Sequence, residues 1–214
     1  MKPHLRLDKL EIVEDAKQIW NTIDHKTENN EDIKFYRQVS ETMGHYSLGR
    51  WSKRWDFFRE HFTKLIQDEQ CLIEFYVGDK INYVSNPHTD RGRKVAINIP
   101  IKVDLENSTA YFGKHFDLAE YPEPASWRQY TFDLSTKDTK FKAETNTRYL
   151  GEYNENFYDH VDLDCPVLFN PCVPHGGWNR AQDKRVLMSL SFDSMSYEVA
   201  YNKCVELGWT SEIS

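Results

Sequence analysis

Three side chains of this sequence have the chemistry to hold one divalent metal ion. His88 and Asp90 stand one residue apart in YVSNPHTDRGRKVAINIPI, Tyr83 to Ile101, and His175 follows far downstream in FNPCVPHGGWN. Residues two apart on an extended backbone project to the same side, so the first imidazole and the carboxylate can share one ion. Two imidazoles and one carboxylate cover one face of an octahedron and leave three positions open, a donor set suited to Fe(II) and O2. A bland reading stands beside each residue. His88 and Asp90 follow Asn86-Pro87, a turn-prone dipeptide, and would then decorate a surface turn. His175 would merely cap the loop from Pro174 to Gly177.

The elements that must position these ligands read as strands. CLIEFYV, residues 71–77, is rich in β-formers, with Gly78 and Asp79 as a turn before KINYVS. Over residues 94–101, Val95, Ile97, Ile99 and Ile101 alternate with Lys94, Ala96, Asn98 and Pro100, which makes Asn98 a pocket candidate or a ladder or turn contact. TAYFG, 109–113, is a further short strand. In PVLFNPCVPH, Val167, Phe169, Pro171, Val173 and His175 share one parity, and the internal prolines predict an edge strand or one that ends near His175. GGWNRAQDK is read as the turn that follows. The next strand, Arg185 to Asp193, places Arg185, Leu187, Ser189 and Ser191 on one side and Val186, Met188, Leu190 and Phe192 on the other. Such a pair of strands would carry His175 and Arg185 towards one cavity.

HTDRGRKVAINIP, taken with PVLFNPCVPHGGWNRAQDKRVLMSLSFD, resembles the 2-oxoglutarate/Fe(II)-dependent dioxygenases. Within that superfamily it looks most like the aspartyl/asparaginyl β-hydroxylases and small prolyl-hydroxylase-like phage and bacterial proteins. The likeness spans residues 70–113 and 160–194. It implies a mainly β fold: a double-stranded β-helix, jelly roll or cupin-like, with flanking N-terminal helices and a C-terminal helix. It also implies Fe(II) held by His88, Asp90 and His175 as the catalytic ligands, with 2-oxoglutarate as cosubstrate and O2 as oxidant. In that family an arginine some ten residues beyond the distal histidine holds the far carboxylate of 2-oxoglutarate, and Arg185 has this spacing from His175. Its planar donor fork can take a carboxylate at two points. Ser189 would add a hydroxyl, and Asn98 and Tyr83 complete the candidate cofactor-binding set, with a core position as the alternative for Tyr83. Arg91, Arg93 and Trp178 are candidates for substrate or cosubstrate contact. The alternatives are a solvated charge cluster for the arginines and an exposed turn aromatic for Trp178. The implied reaction couples decarboxylation of 2-oxoglutarate to hydroxylation of a C–H bond, with an amino acid or a protein side chain among the candidate substrates.

Around this core the 214 residues read as one domain. A helical N-terminal part, 1–70, precedes a β-helix core, 71–194, which carries a variable insertion, 114–160; a C-terminal helix, 195–208, follows. An amphipathic helix is predicted over 8–24 through Leu10, Val13, Ala16, Ile19, Trp20 and Ile23, with Asp8 as its cap and Glu11 completing a capping box. After a polar connection, GHYSLG at 44–49 suggests a turn or short strand. A second helix over 52–67 follows, with Trp55, Phe58, Phe62, Leu65 and Ile66 on one stripe. In the insertion, Pro122 and Pro124 break regular structure and 128–134 and 147–150 are strand candidates; the whole is either a substrate-facing rim or ordinary decoration. The last helix runs from Ser196 to Leu207 and stops at Gly208.

Composition excludes some functions. Lysine and arginine total 27 against 34 acidic residues, a formal charge of −7, so no overall positive field favours bulk nucleic-acid binding. No run reaches the roughly 18 apolar residues of a membrane span. MKPHLRLDKLEIVED lacks the apolar segment of a secretory leader, so the chain reads as cytoplasmic, in the host cytoplasm if viral. Cys71, Cys165, Cys172 and Cys204 contain no C-x2-C spacing, and Cys71 and Cys172, in apolar runs, are expected as buried free thiols. Two competing readings remain: a cupin-like metalloenzyme that does not use 2-oxoglutarate, and a non-catalytic binding or structural protein that keeps the fold. Arg185 argues against the first, and the intact ligand set against the second.

Overall fold

Period-two alternation builds most of this molecule. The computed structural model describes residues 1–22, 33–37, 43–48, 62–63, 65, 72–78, 83–91, 93–121, 126–135, 140–149, 153–192 and 195–212. In chain order the elements are β1 (His4–Arg6), α1 (Val13–Thr22), β2 (Ile33–Arg37), β3 (Met43–Leu48), β4 (Leu72–Gly78), β5 (Tyr83–Arg91), β6 (Val95–Lys102) and β7 (Ser108–Gly113). There follow a short 3-10 turn at Leu118–Glu120, β8 (Ser126–Ser135), β9 (Lys140–Tyr149), β10 (Tyr158–Val161), β11 (Val167–Phe169), β12 (His175–Asn179), β13 (Arg185–Phe192) and α2 (Tyr197–Glu206).

Two antiparallel sheets result, a seven-stranded one in the order β1-β11-β6-β13-β4-β3-β2 and a six-stranded one in the order β10-β7-β12-β5-β9-β8. Successive strands from β4 to β7, and again from β10 to β13, alternate between the sheets, which is the winding of a jelly roll. Parity sorts the side chains into layers. Ile73, Phe75, Ile97, Ile99, Val186, Met188 and Leu190 pack with Ala16 and Ile19 of α1 and with Ala200 and Cys204 of α2. The opposite parity faces inward: Ala96, Leu187, Val167 and Phe169 of one sheet meet Ala110, Phe112 and Val161 of the other. A third cluster, of Tyr111, Tyr121, Tyr158 and Val173, covers the far side of the six-stranded sheet.

Several expectations are corrected. The first helix starts at Val13, and Asp8 does not cap it. The backbone before it is already engaged: β1 pairs with β11, Leu7 N donates to Pro166 O at 2.8 Å, and Lys9 N donates to Trp209 O at 3.0 Å. The Asp8 carboxylate instead accepts from the backbone N of Ser211 at 2.7 Å and from the Ser211 hydroxyl. Gly78 closes β4 and is not a turn residue. GGWN is strand, not turn, because β12 begins at His175 where a strand was expected to end. Cys172 is exposed, since it sits in the turn between β11 and β12 and not in a strand.

Other features agree with the sequence. Ser196 caps α2 by accepting from Val199 N, and Gly208 follows it with a φ of +69°. GHYSLG contributes β3. The helix expected over 52–67 lies outside the described residues except for Phe62, Thr63 and Leu65; Phe62 and Leu65 are buried in the helix-side core. Cys71 also lies outside them. Strands β8 and β9 pair antiparallel, and β9 also pairs with β5 and so lengthens the six-stranded sheet beside His88. Among the described residues no helix is long and apolar enough to cross a membrane.

Candidate metal centre

Strand pairing closes the gap of almost ninety residues between the first and last ligands. His88 on β5 is the cross-strand partner of His175 on β12, and Asp90 follows on the same side of β5. The turn-prone Asn86-Pro87 is part of a strand. It occupies a bulge, since β5 takes three steps from Ser85 to His88 where β12 takes two from Gly177 to His175. Proline suits that place because it has no N–H to offer the ladder, and a bulge re-aims the residue beside it.

One potential ligand atom from each of His88, Asp90 and His175 lies within 4.8 Å of the others. His175 Nε2 is 3.5 Å from Asp90 Oδ2, and the two imidazole rings are 4.5 Å apart between centroids. Octahedral ligand bonds of about 2.1 Å at right angles would put donor atoms about 3 Å apart, so the spacing fits one small cation. Asp90 and His175 are buried, and His88 is half-buried.

The three candidate ligands are held by their neighbours. His175 Nδ1 is 3.0 Å from Val173 O, which makes Nδ1 the protonated nitrogen and leaves Nε2 as the donor atom. Ser85 Oγ lies 3.2 Å from His88 Nδ1. Asp90 N donates to Pro171 O at 2.8 Å, so the turn that orients His175 also grips the strand bearing Asp90. That turn is closed by Val173 N donating to Asn170 O at 3.0 Å and Cys172 N donating to Asn170 Oδ1 at 2.9 Å.

Charge is arranged as tightly. Arg93 Nη2 donates to Asp90 Oδ2, and Arg93 Nη1 reaches Ser191 Oγ at 3.1 Å and Tyr76 Oη at 3.3 Å. Tyr76 Oη donates to Glu74 Oε2 at 2.8 Å, and that oxygen is 4.0 Å from Arg93 Nη1. Burial pushes the Asp90 carboxyl up, but the Arg93 guanidinium and the hydrogen bond to His175 outweigh it and hold the group well below the usual carboxylate range. Burial likewise opposes the charge on Arg93, and Tyr76, Asp90 and Glu74 together raise its pKa nonetheless. Arg93, a candidate substrate contact from the sequence, is therefore an internal partner of a ligand. Glu74, Tyr76, Ser85 and Ser191 were given no role from the sequence. A glutamate inside the apolar run CLIEFYV was the available signal for the first of them.

Arg185 reaches across the interior from β13 to the backbone of β7 and β12. Its Nη1 lies 3.3 Å from Trp178 O and 3.5 Å from Thr109 O. A Cβ on Gly177, two residues along the His175 face, would stand 3.0 Å from that nitrogen. Ser189 on β13 and Asn98 on β6 are cross-strand partners, and Ser189 Oγ and Asn98 Oδ1 are both buried without a hydrogen-bond partner among the described residues. Trp178, a candidate for substrate or cosubstrate contact from the sequence, has the opposite parity to His175. It packs on the outer face with Tyr111, Tyr153 and His160, with Arg180 over its ring at 5.4 Å. The side chains of Tyr83 and Arg91 lie outside the described residues; their backbones pair with Asn179 and Asn146.

No protein-family profile and no curated protein matches this chain in sequence. Solved structures do match in shape. One is the epimerase SnoN in complex with Fe3+, alpha ketoglutarate and nogalamycin RO, at a TM-score of 0.54 and 10% identity over 89% of this chain and 78% of that one. A Pseudomonas putida prolyl-4-hydroxylase gives 0.52 at 9% identity over 92% and 95%. HygX from Streptomyces hygroscopicus, with nickel and 2-oxoglutarate bound, gives 0.51 at 10% over 89% and 82%. The fold carries iron and 2-oxoglutarate in other chains. At such identities the likeness establishes the mainly β jelly-roll architecture, and the chemistry must be argued from this chain's residues.

Proposed function

We propose that this protein is a 2-oxoglutarate- and Fe(II)-dependent oxygenase that hydroxylates a C–H bond of its substrate, with an amino acid or a protein side chain among the candidates. The observation that carries it is the convergence of His88, Asp90 and His175 on one point, with Arg185 reaching the same interior beside Gly177. The residues fit both groups. Two neutral imidazoles and one ionised carboxylate make a borderline donor set suited to Fe(II). The unpartnered Ser189 Oγ and Asn98 Oδ1 are polar atoms that a bound polar molecule would satisfy.

Bound iron and 2-oxoglutarate supply, with O2, the decarboxylation to succinate and CO2 that is coupled to substrate hydroxylation. The chain's own residues bind and orient. His88 and His175 offer Nε2, each with Nδ1 next to a neighbour, and Asp90 offers its carboxylate. Arg185 would take the distal carboxylate of 2-oxoglutarate at two points, and the Ser189 hydroxyl would donate to the same molecule. The Asn98 amide can present either end, because its two ends exchange by a flip. Leu187, Phe112 and Phe169 supply the apolar walls that keep water from the ligands, and Phe169 lies 5.0 Å from the His175 ring.

The test is anaerobic titration with Fe(II) and then 2-oxoglutarate, followed by oxygen-dependent succinate release across amino acids, peptides and nucleobases. Failure of the wild-type protein to bind either group would end this proposal.

A further inference from the structure

Beyond the three ligands, the interior holds a guanidinium with no counterpart in that ligand scheme. Arg93 sits in the short connection between β5 and β6, and its side chain is only 12% exposed. One end of it donates to the Asp90 carboxylate on the six-stranded sheet. The other end is anchored on the seven-stranded sheet by Tyr76 of β4 and Ser191 of β13, with Glu74 of β4 as a nearby counter-charge. Its Nε–H is buried without a partner among the described residues, a cost tolerated where the placement of the group matters more than its full satisfaction.

We propose that Arg93 is a positioning residue for the metal site, a fork that spans both sheets and locks the Asp90 carboxylate in its ligating orientation before an ion arrives. This rests on the reading of His88, Asp90 and His175 as metal ligands. An aspartate side chain turns freely about its last bond, and an unheld carboxylate must be ordered when the ion binds. The Arg93 fork, fixed from the opposite sheet, does that ordering during folding. Glu74 offsets the positive charge that this places near a cation site.

Electrostatics and positioning make opposite predictions, which allows a clean test. Removing the positive charge should tighten cation binding if repulsion is what matters, and weaken it if orientation is. Co(II) affinity by calorimetry and the Co(II) visible spectrum are measured on wild type, Arg93→Gln, Arg93→Lys and the double variant Tyr76→Phe/Ser191→Ala, with folding checked by circular dichroism. Loss of an outer partner of a metal ligand typically costs about 10- to 100-fold in metal affinity. Arg93→Gln is expected in that range with an altered spectrum, and Arg93→Lys should recover only part of it. The double variant keeps the charge and loosens the fork, so it should weaken Co(II) by a smaller factor.

Equal or tighter Co(II) binding by a folded Arg93→Gln, with the wild-type spectrum, overturns the proposal. Full recovery by lysine does so too. If Arg93→Gln fails to fold, an unchanged affinity and spectrum in the double variant has the same effect. Wild-type protein that binds no Co(II) would instead remove the ligand assignment, and this proposal with it.

Discussion

Replacing Arg185 with leucine separates a cosubstrate-binding arginine from a structural one. The two carbonyl contacts described for its guanidinium, 3.3 Å to Trp178 O and 3.5 Å to Thr109 O, are at the long end of hydrogen bonding. Bonds of that kind contribute about 1 kcal/mol or less each, and the side chain is half-buried. A two-point bond to a carboxylate is worth more. At about 1.5–3 kcal/mol for each charged hydrogen bond, losing both costs about 3–6 kcal/mol. That corresponds to a rise in Kd for 2-oxoglutarate of at least about 100-fold, at about 1.4 kcal/mol per tenfold. The assay is calorimetric titration of 2-oxoglutarate into protein loaded with Mn(II), with Mn(II) affinity measured separately. Arg185→Leu should bind Mn(II) as wild type does and lose most of its affinity for 2-oxoglutarate, and Arg185→Lys should fall between. Wild-type affinity for 2-oxoglutarate in a folded, Mn(II)-loaded Arg185→Leu would refute the assignment.

Gly177→Ala would place a Cβ 2.6 Å from Thr109 O and 3.0 Å from Arg185 Nη1, so either a backbone strand or the guanidinium must shift. Overpacking of this kind costs about 1–3 kcal/mol, and a lowered melting temperature with weaker 2-oxoglutarate binding is expected. Wild-type values for both would mean that the two strands are not in this close contact. Thiol reactivity should follow burial: the exposed Cys172 reacts in the native protein, and Cys204 only after unfolding. Burial pushes the Cys204 thiol up to about 12 from an unfolded value of about 8.5. Its contribution to stability is complete below about pH 8.5 and declines as pH rises from there towards 12, because the unfolded thiol ionises first. The urea midpoint should therefore fall above pH 8.5, and by less in Cys204→Ala relative to its own value at neutral pH; equal pH dependence in the two would contradict this.

Much of the site was readable along the chain because strand parity is local. The His-x-Asp spacing placed His88 and Asp90 on one side of β5, and alternation in β13 put Arg185, Ser189 and Ser191 opposite the residues that face the helices. The stop at Gly208 was readable for a similar reason, since the positive φ there concerns one residue. Long-range competition was not readable. Asp8 has the right spacing for a cap, but Ser211 claims its carboxylate. GGWN has turn composition, yet its glycines sit in a strand because Thr109 O approaches too closely for a side chain at Gly177. Trp178, three residues past His175, has the wrong parity for the interior once His175 begins the strand.

Residue types and period therefore marked three candidate ligands for a divalent metal, strands to carry them and an arginine at the spacing that the resemblance implies. Only the tertiary structure decided which strands became neighbours, that a bulge at Asn86-Pro87 turns His88 towards His175, and that Arg93 faces inward to Asp90. Side-chain direction follows from the covalent backbone and its sterics and so repeats along the chain. Pairing between residues far apart depends on which contacts offset the entropy of closing long loops, and that is settled by the whole fold at once.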